Sequence, residues 1–231
     1  MSNNVGDHLV SAQQATHAKL RAMIFSGELQ AGQPMRQEEI ARQLGVSRLP
    51  VREALNRLAT EGLVELKPRR GFFVTSLNAN EIEDIFDMRA MLESRAGALA
   101  TEKRSMADAD ALDAIVRTLD AALDGPIRFE AWAELNLQFH TRLYQSCHRK
   151  HLRRQIDLLR DSVAPLIRIL ALQEGELRRS QEEHRRLAEL FRAGDTAGVA
   201  ELCSEHCAYT ARGLLKHLRA QALSKDNVRA A

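Results

Sequence analysis

Residues 38–74 have the sequence EEIARQLGVSRLPVREALNRLATEGLVELKPRRGFFV, whose pattern indicates the fold of the N-terminal part. Apolar residues at helical spacing predict a short helix over 37–44 and a second helix over about 48–60. Gly45 is suited to end the first helix, and Ser47 is suited to cap the second. Two short helices joined by so tight a turn form a helix-turn-helix pattern, whose second helix enters the major groove of DNA.

The second helix of this pattern is basic on one face and apolar on the other. Arg48, Arg52 and Asn56 follow each other at four-residue spacing and therefore share the outer face. The inward face is predicted to consist of Val51, Ala54, Leu55 and Leu58. An arginine on the outer face can donate two hydrogen bonds to a guanine edge or hold a phosphate.

Two short apolar runs, 63–66 and 72–75, follow the second helix and predict a β-hairpin. The hairpin tip is basic and contains Lys67, Arg69, Arg70 and Gly71. Glycine at the tip allows the backbone to approach a partner closely. A basic helix face beside a polar turn is often only solvated, but the order helix, turn, helix and basic wing favours DNA binding.

The composition favours helices. The 231 residues include only 12 Gly, 5 Pro and 4% aromatics, which argues against a β-sandwich or barrel. The net charge of +2 is uninformative, but residues 1–76 hold ten Lys and Arg against seven Asp and Glu. The sequence predicts no transmembrane helix and no signal peptide. Three cysteines, an odd number, indicate free thiols in a reducing cytoplasm.

The pattern of apolar residues changes after Asn80. Helical spacing of apolar residues recurs six times, over 81–103, 107–124, 127–147, 149–173, 175–192 and 196–222. Short gaps between successive helices predict an antiparallel six-helix bundle. The expected fold is therefore mainly α, with a winged helix-turn-helix domain over 1–76, a linker over 77–80 and an all-helical domain over 81–231.

Three histidines of the helical half lie in helices with apolar stripes. Asn136 and His140 share one helix face, and His184 and His206 lie on two further helices. Three such helices can converge on a metal site in a bundle core, although each histidine alone is compatible with a buried, hydrogen-bonded imidazole. The neighbouring Glu183 is predicted to point to another helix face. Surface positions are predicted for the remaining histidines, His8, His17, His148, His151 and His217.

The stretch LGVSRLPVREALNRLATEGLV, within 38–74, resembles the winged-helix DNA-binding domain of GntR-family bacterial transcriptional regulators. The resemblance implies operator contact by Arg48 and Arg52. Supporting contacts are implied for Arg42, Arg57 and the wing around Gly71. The sequence departs from some relatives at Glu38, where they carry a further arginine.

The helical half resembles the FCD ligand-binding domain of the FadR-like branch of that family. The resemblance rests on MRAMLESRAGALA (88–100), NLQFH (136–140), EEH (182–184) and EHCAYT (205–210). Many members of the branch hold a divalent metal through one Asp and three His. Carried over to this sequence, the three histidines are His140, His184 and His206, and the Asp position falls on Asn136.

Asparagine at this position has a physical consequence. Its carbonyl oxygen can bind a metal, but the side chain is neutral, so the occupied site would be one unit more positive than an Asp/His₃ site. We expect weaker metal binding or a greater reliance on an anionic effector. An imidazole-rich set of ligands suits Zn²⁺ or Ni²⁺ better than Ca²⁺ or Mg²⁺.

Two arginines are candidates for holding an effector. Arg89 and Glu93 lie four residues apart, as in a surface ion pair. The family resemblance implies instead that Arg89 faces a ligand cavity, where it would bind the carboxylate of a small organic acid. Arg168 interrupts an apolar stretch and is the second candidate.

The sequence therefore predicts a ligand-responsive transcriptional regulator, a repressor that binds double-stranded operator DNA as a homodimer. Two alternatives stay open. A His₃ site with an open position is a catalytic zinc pattern, which would suit a hydrolase or lyase, although no carboxylate stands out as a general base. The helical half could also serve only for dimerisation, without a ligand. We expect a regulator and not an enzyme.

Overall fold

The computed structural model describes the backbone of residues 3–124, 129–171 and 175–229, with side chains from residue 12 onward except 130, 169 and 220–229. Two compact units are present. The first comprises Met1–Leu77 with Asp161–Pro165, and the second comprises Asn78–Arg160 with Leu166–Ala231. Among the described residues, no helix is both long and apolar enough to span a bilayer.

The first unit is a winged helix-turn-helix. Its elements are α1 (Asn3–Phe25), α2 (Gln37–Leu44), α3 (Arg48–Thr60), β1 (Val64–Lys67) and β2 (Gly71–Val74). The two strands are antiparallel, with Val64 opposite Val74 and Lys67 opposite Gly71. The predicted inward face of α3 is buried, and Val51, Leu55 and Leu58 pack with Leu20 of α1 in one core.

The turn between α2 and α3 depends on a glycine. Gly45 ends α2 with φ 66°, and its N–H bonds to carbonyls of the last turn of the helix. Glycine adopts this left-handed conformation without the steric cost that other residues incur. Ser47 occupies the N-cap position of α3, as predicted, but its hydroxyl makes no capping hydrogen bond to the described residues.

The six predicted helices form the second unit, apart from residues Asp161–Pro165. Within the described residues they are α4 (Ala79–Lys103), α5 (Met106–Leu123), α6 (Phe129–Gln145), α7 (Lys150–Ala171), α8 (Glu176–Ala193) and α9 (Thr196–Arg229). Three predicted breaks, at His148, Gly175 and Gly194, have positive φ. The predicted break at Gly125-Pro126 lies outside the described residues. The last helix continues beyond the predicted end at 222.

The helices of this unit enclose one apolar core. Phe139, Leu143, Phe191 and Val199 are among its fully buried members. Helix α4 comes close to α9 at Gly97, where a β-carbon would lie 2.9 Å from Cγ1 of Val199. The three cysteines are free and buried in this unit, and burial raises the pKa of the Cys203 thiol to about 12.

The predicted surface position of His17 is wrong. His17 is buried, and its Nε2 lies 3.0 Å from Oε2 of Glu61. The residues around His17 form no strong apolar stripe, but α1 packs against α3 in the core of this unit. The carboxylate of Glu61, directly after α3, supplies a polar partner for the buried imidazole. His148 and His151 are exposed, as predicted, and His217 is half-buried. The His8 side chain lies outside the described residues.

Candidate functional site

The outer face of α3 presents the predicted basic residues to solvent. Exposed side chains on this helix belong to Arg48, Arg52, Asn56 and Arg57. Because α3 packs through its apolar face, these side chains project from the opposite side. The arrangement matches a recognition helix, whose N-terminal residues contact base edges while the rest of the domain holds the backbone.

The arginines of α3 pair with neighbouring carboxylates. Nη1 of Arg48 lies 2.9 Å from Oε1 of Glu38 on α2, and Nε of Arg57 lies 3.2 Å from Oε1 of Glu61. Both arginines are well exposed, and exposed pairs of this kind contribute little stability. The guanidinium groups can therefore exchange these carboxylates for phosphate or base contacts at low cost.

The hairpin tip forms a basic wing. Arg69 and Arg70 are exposed, and Arg69 and Gly71 both have positive φ, at 61° and 89°. The guanidinium of Arg70 and the ammonium of Lys67 lie over the ring of Phe73. This contact supports the side chains at the tip of the hairpin. Arg42 on α2 is exposed as well.

Three helices of the second unit bring three buried histidines together. His140 comes from α6, His184 from α8 and His206 from α9. One nitrogen of each imidazole lies within 4.8 Å of the others, and the ring centroids are 5.1–5.6 Å apart. The packing of the three helices thus brings these histidines together, as the sequence predicted.

The chemistry of this histidine cluster fits a divalent metal. Nδ1 of His140 and Nε2 of His184 are buried and have no hydrogen-bond partner among the described residues. Burial lowers the pKa of both imidazoles well below the usual value, so they are neutral near pH 7 and keep a lone pair. Nitrogens bound to zinc at about 2.1 Å lie about 3.4 Å apart in tetrahedral geometry, which small movements would achieve here.

Asn136 lies on the same helix as His140, one turn earlier, and is half-buried. Residues four apart share a helix face, so the amide is on the side of the cluster. Its role as the fourth ligand stays a prediction.

Two residues of α8 that the sequence did not identify contact the cluster. Oε1 of Gln181 lies 3.2 Å from Nδ1 of His184, and Oε2 of Glu183 lies 2.5 Å from Nδ1 of His206. Glu183 was predicted to point to another helix face than His184, and it nevertheless contacts the cluster, because the neighbouring α9 brings His206 to that face. The only sequence signal was the proximity of both residues to His184.

A buried ion pair lies beside the cluster. Nε of Arg89 donates to Oε1 of Glu93 at 2.7 Å, and the hydroxyl of Tyr144 donates to Oε2 at 2.8 Å. Both members of the pair are buried, so the surface interpretation of Arg89 and Glu93 is wrong. Oε2 of Glu93 is also 4.0 Å from Nδ1 of His140.

The electrostatics of this pair favour its charged form. Burial alone would raise the pKa of Glu93, but the charges of Arg89 and Arg160 and the hydrogen bonds lower it overall. Arg160 also acts on His140 and His184, where its charge disfavours the protonated imidazole. The charged groups around the cluster are thus Arg89, Arg160 and Arg179, with the carboxylates of Glu93 and Glu183.

Arg168, the second predicted effector residue, is half-buried on α7. Its guanidinium lies 5.2 Å from the ring centroid of Phe129 on α6. This stacked position leaves its role as an effector ligand a prediction.

Comparison with known proteins matches both units. The FCD domain family matches residues 84–209, and the family described as bacterial regulatory proteins, gntR family, matches residues 12–74. The Nta operon transcriptional regulator of Aminobacter aminovorans is 33% identical over 73% of this chain and 78% of that protein. The uncharacterized HTH-type transcriptional regulator YdhC of Bacillus subtilis is 30% identical over 63% of this chain, which spans 65% of that protein, just under two thirds.

A repressor and a solved structure are also similar. The HTH-type transcriptional repressor GlaR of Escherichia coli is 27% identical over 81% of this chain and 88% of that protein. The structure of E. coli McbR/YncC superposes with a TM-score of 0.76 at 26% identity, covering 90% of this chain and 98% of that one. The chain belongs to the GntR family of bacterial regulatory proteins, in the branch that carries an FCD domain, and is a DNA-binding transcriptional regulator rather than an enzyme.

Proposed function

We propose that this protein is a ligand-responsive repressor that works as a cytoplasmic homodimer. In this proposal residues 1–76 bind operator DNA, residues 77–80 link the two parts, and residues 81–231 bind the effector and dimerise. A dimer suits DNA recognition because its two-fold symmetry matches two half-sites. The similarity to a protein named as a repressor supports the sign of regulation.

The DNA contacts are assigned to the exposed basic residues of the first unit. Arg48 and Arg52 read base edges or hold phosphates at the start of the recognition helix, and Asn56 extends that face. Supporting contacts to the DNA backbone come from Arg42, Arg57, Arg69, Arg70 and the backbone at Gly71.

The histidine cluster holds a divalent metal, Zn²⁺ or Ni²⁺. His140, His184 and His206 supply ring nitrogens, and Asn136 supplies its amide oxygen. Neutral imidazoles favour these metals over Ca²⁺ and Mg²⁺. When bound, the metal offers open coordination positions to a carboxylate oxygen. Buried ring nitrogens without a hydrogen-bond partner are the observation that carries this part of the proposal.

A small carboxylate is the effector. Among the described residues, the hydrogen bond found for the Arg89 guanidinium is the one that Nε donates to Oε1 of Glu93. The end of this guanidinium is therefore available to bind a carboxylate through two hydrogen bonds. Arg160 adds positive charge nearby, and Arg168 is a second anchor. The neutral Asn136 leaves the occupied site more dependent on an anion than an aspartate would.

Regulation follows from a shift between two populations. A ligand shifts a conformational equilibrium only by its difference in affinity for the two states. We propose that the effector favours a state of the dimer whose winged helices no longer match two half-sites. The linker over 77–80 transmits this change.

The test combines DNA selection with an effector screen. Full-length protein purified without an affinity tag selects binding sites from random double-stranded DNA, and its metal content is measured. Binding to the selected site is then followed by fluorescence anisotropy with Zn²⁺ and a panel of small mono-, di- and tricarboxylic acids. We expect at least one acid to weaken DNA binding in the wild type and to have less effect on Arg89→Lys.

Two outcomes would contradict the proposal. Failure to select any DNA sequence would overturn the operator assignment. DNA binding that is indifferent to every acid, in a protein that retains no metal, would favour a helical domain used only for dimerisation.

A further inference from the structure

The amide of Gln181 has a defined orientation. Its Nε2 donates to the backbone carbonyl of Val116 at 3.2 Å and to Oδ1 of Asp120 at 2.6 Å, both on α5. A backbone carbonyl only accepts hydrogen bonds, so the nitrogen of the amide must face Val116. The amide oxygen then faces His184.

This orientation fixes the tautomer of His184. The amide oxygen of Gln181 only accepts, so Nδ1 of His184 must carry the proton. The lone pair of the neutral imidazole is consequently on Nε2. That atom is buried and has no hydrogen-bond partner among the described residues. A buried acceptor without a partner is costly, and a metal would satisfy it.

Glu183 acts in the same way on His206. Its carboxylate only accepts, so Nδ1 of His206 donates to it, and in the neutral imidazole the lone pair is on Nε2. The carboxylate is itself held by Arg179, whose guanidinium bonds to Glu183 and lies over the ring of Tyr209. Glu183 thus has a fixed position from which to orient the imidazole on the neighbouring helix.

We propose that Gln181 and Glu183 are positioning residues of the metal site. Each fixes one imidazole with its Nε2 lone pair available to a shared ion, so the short segment 181–184 prepares two of the three histidine ligands. Partners of this kind orient metal-binding histidines, and their loss costs about 10–100-fold in metal affinity. The inference rests on the proposed metal site.

The decisive variants remove the acceptor while keeping the length of the side chain. Gln181→Met and Glu183→Met each lack an acceptor for Nδ1. Glu183→Gln retains an amide oxygen that can accept from His206 and is the conservative variant. Glu182→Met is the matched control, since Glu182 is adjacent but exposed and paired with Arg185.

Two measurements on full-length protein separate positioning from stability. Zn²⁺ affinity is measured by competition with a chromophoric chelator, with metal-free folding checked by circular dichroism. Long-range ¹⁵N–¹H NMR of the metal-free protein reports which nitrogen of each histidine is protonated. We expect Nδ1–H tautomers for His184 and His206 in the wild type, and a mixture at His184 in Gln181→Met.

The affinities should fall about 10–100-fold in Gln181→Met and Glu183→Met, less in Glu183→Gln, and not at all in Glu182→Met. Wild-type protein that binds no Zn²⁺ would overturn the metal site and this inference together. Tight binding by the wild type with unchanged affinity in both acceptor-free variants would overturn this inference alone. Should Glu183→Met fail to fold, the comparison of wild type with Glu183→Gln and Gln181→Met still decides it.

Discussion

Nε of Arg89 donates to Oε1 of Glu93 over 2.7 Å, and both side chains are almost completely withdrawn from solvent. Removing one partner from a buried ion pair leaves the other charge without compensation. The pair also lies 4.0 Å from the histidine cluster, through Oε2 of Glu93 and Nδ1 of His140. Stability and the proposed effector site therefore depend on the same two residues.

The first prediction concerns this pair. Glu93→Gln, which can still accept from Tyr144, should lower the free energy of unfolding by about 3–5 kcal/mol because Arg89 stays buried and charged. The double variant Arg89→Met/Glu93→Gln should regain much of that loss. Urea unfolding of the wild type, Glu93→Gln, Arg89→Met and the double variant, all without effector, gives the coupling energy. Additive losses would show that the two side chains do not interact in the folded protein.

The second prediction concerns acid sensitivity. Burial lowers the pKa of His140 and His184 in the folded protein, so below about pH 6.5 the unfolded chain binds protons first. Above that pH both imidazoles are neutral in the folded and in the unfolded chain, and the folded protein has its full stability. As the pH falls, the unfolded chain gains protons that the folded protein does not, and the free energy of unfolding decreases. We expect the metal-free protein to lose up to about 1.4 kcal/mol per pH unit for each histidine.

Thermal unfolding in EDTA between pH 7.5 and 5.0 measures this loss. The carboxylates with lowered pKa, Glu93, Glu183 and Asp108, stay ionised in the folded protein over this range and should contribute little to the slope. His184→Leu should reduce the slope, whereas His151→Gln, at an exposed position, should leave it unchanged. A stability that does not vary with pH would refute the assignment.

The third prediction concerns Asn136. Asn136→Asp adds a negative charge beside the proposed ion, and two unit charges about 4 Å apart attract by about 1 kcal/mol even at the dielectric constant of water. We expect Zn²⁺ affinity to rise by about fivefold or more, and to be lost in His140→Ala. Chelator competition measures both. Equal affinities for the wild type and Asn136→Asp would exclude this position from the site.

The fourth prediction concerns the recognition helix. Arg48→Ala and Arg52→Ala should each weaken binding to a selected operator by about 1–3 kcal/mol if the arginine reads a base. If it holds a phosphate, the slope of log affinity against log salt should fall by about one. Arg186→Ala is the control, because it removes an exposed, ion-paired arginine from the other unit. Unchanged affinity and slope in both variants would argue against contact by α3.

The fifth prediction concerns the contact between α4 and α9. A β-carbon at Gly97 would lie 2.9 Å from Cγ1 of Val199 and 3.1 Å from Sγ of Cys203. Gly97→Ala should therefore destabilise the protein by about 1–3 kcal/mol. Alanine in an unconstrained helix would instead add about 1 kcal/mol, so the sign is decisive. Gly97→Ala/Val199→Ala should recover part of the loss in thermal unfolding, since the second change makes room.

Local patterns predicted most of the fold. The periodicity of apolar residues gave six helices after Asn80, and the sequence around Gly45 gave the helix-turn-helix. These features depend on neighbours within a few positions, so they can be predicted from the sequence. The two faces of α3 were predicted for the same reason, because residues four apart share one side of a helix.

Local patterns were therefore sufficient to predict the order of the elements, the basic face of the recognition helix and the three histidines that belong together. The residues that surround them depend on how distant helices pack, which local patterns do not reveal. Four-residue spacing predicted the pairing of Arg89 with Glu93 but not its burial, which depends on the helices packed against α4. Likewise, Glu183 points away from His184 on α8, yet it reaches His206, because the packing of α9 against α8 places an imidazole on that face.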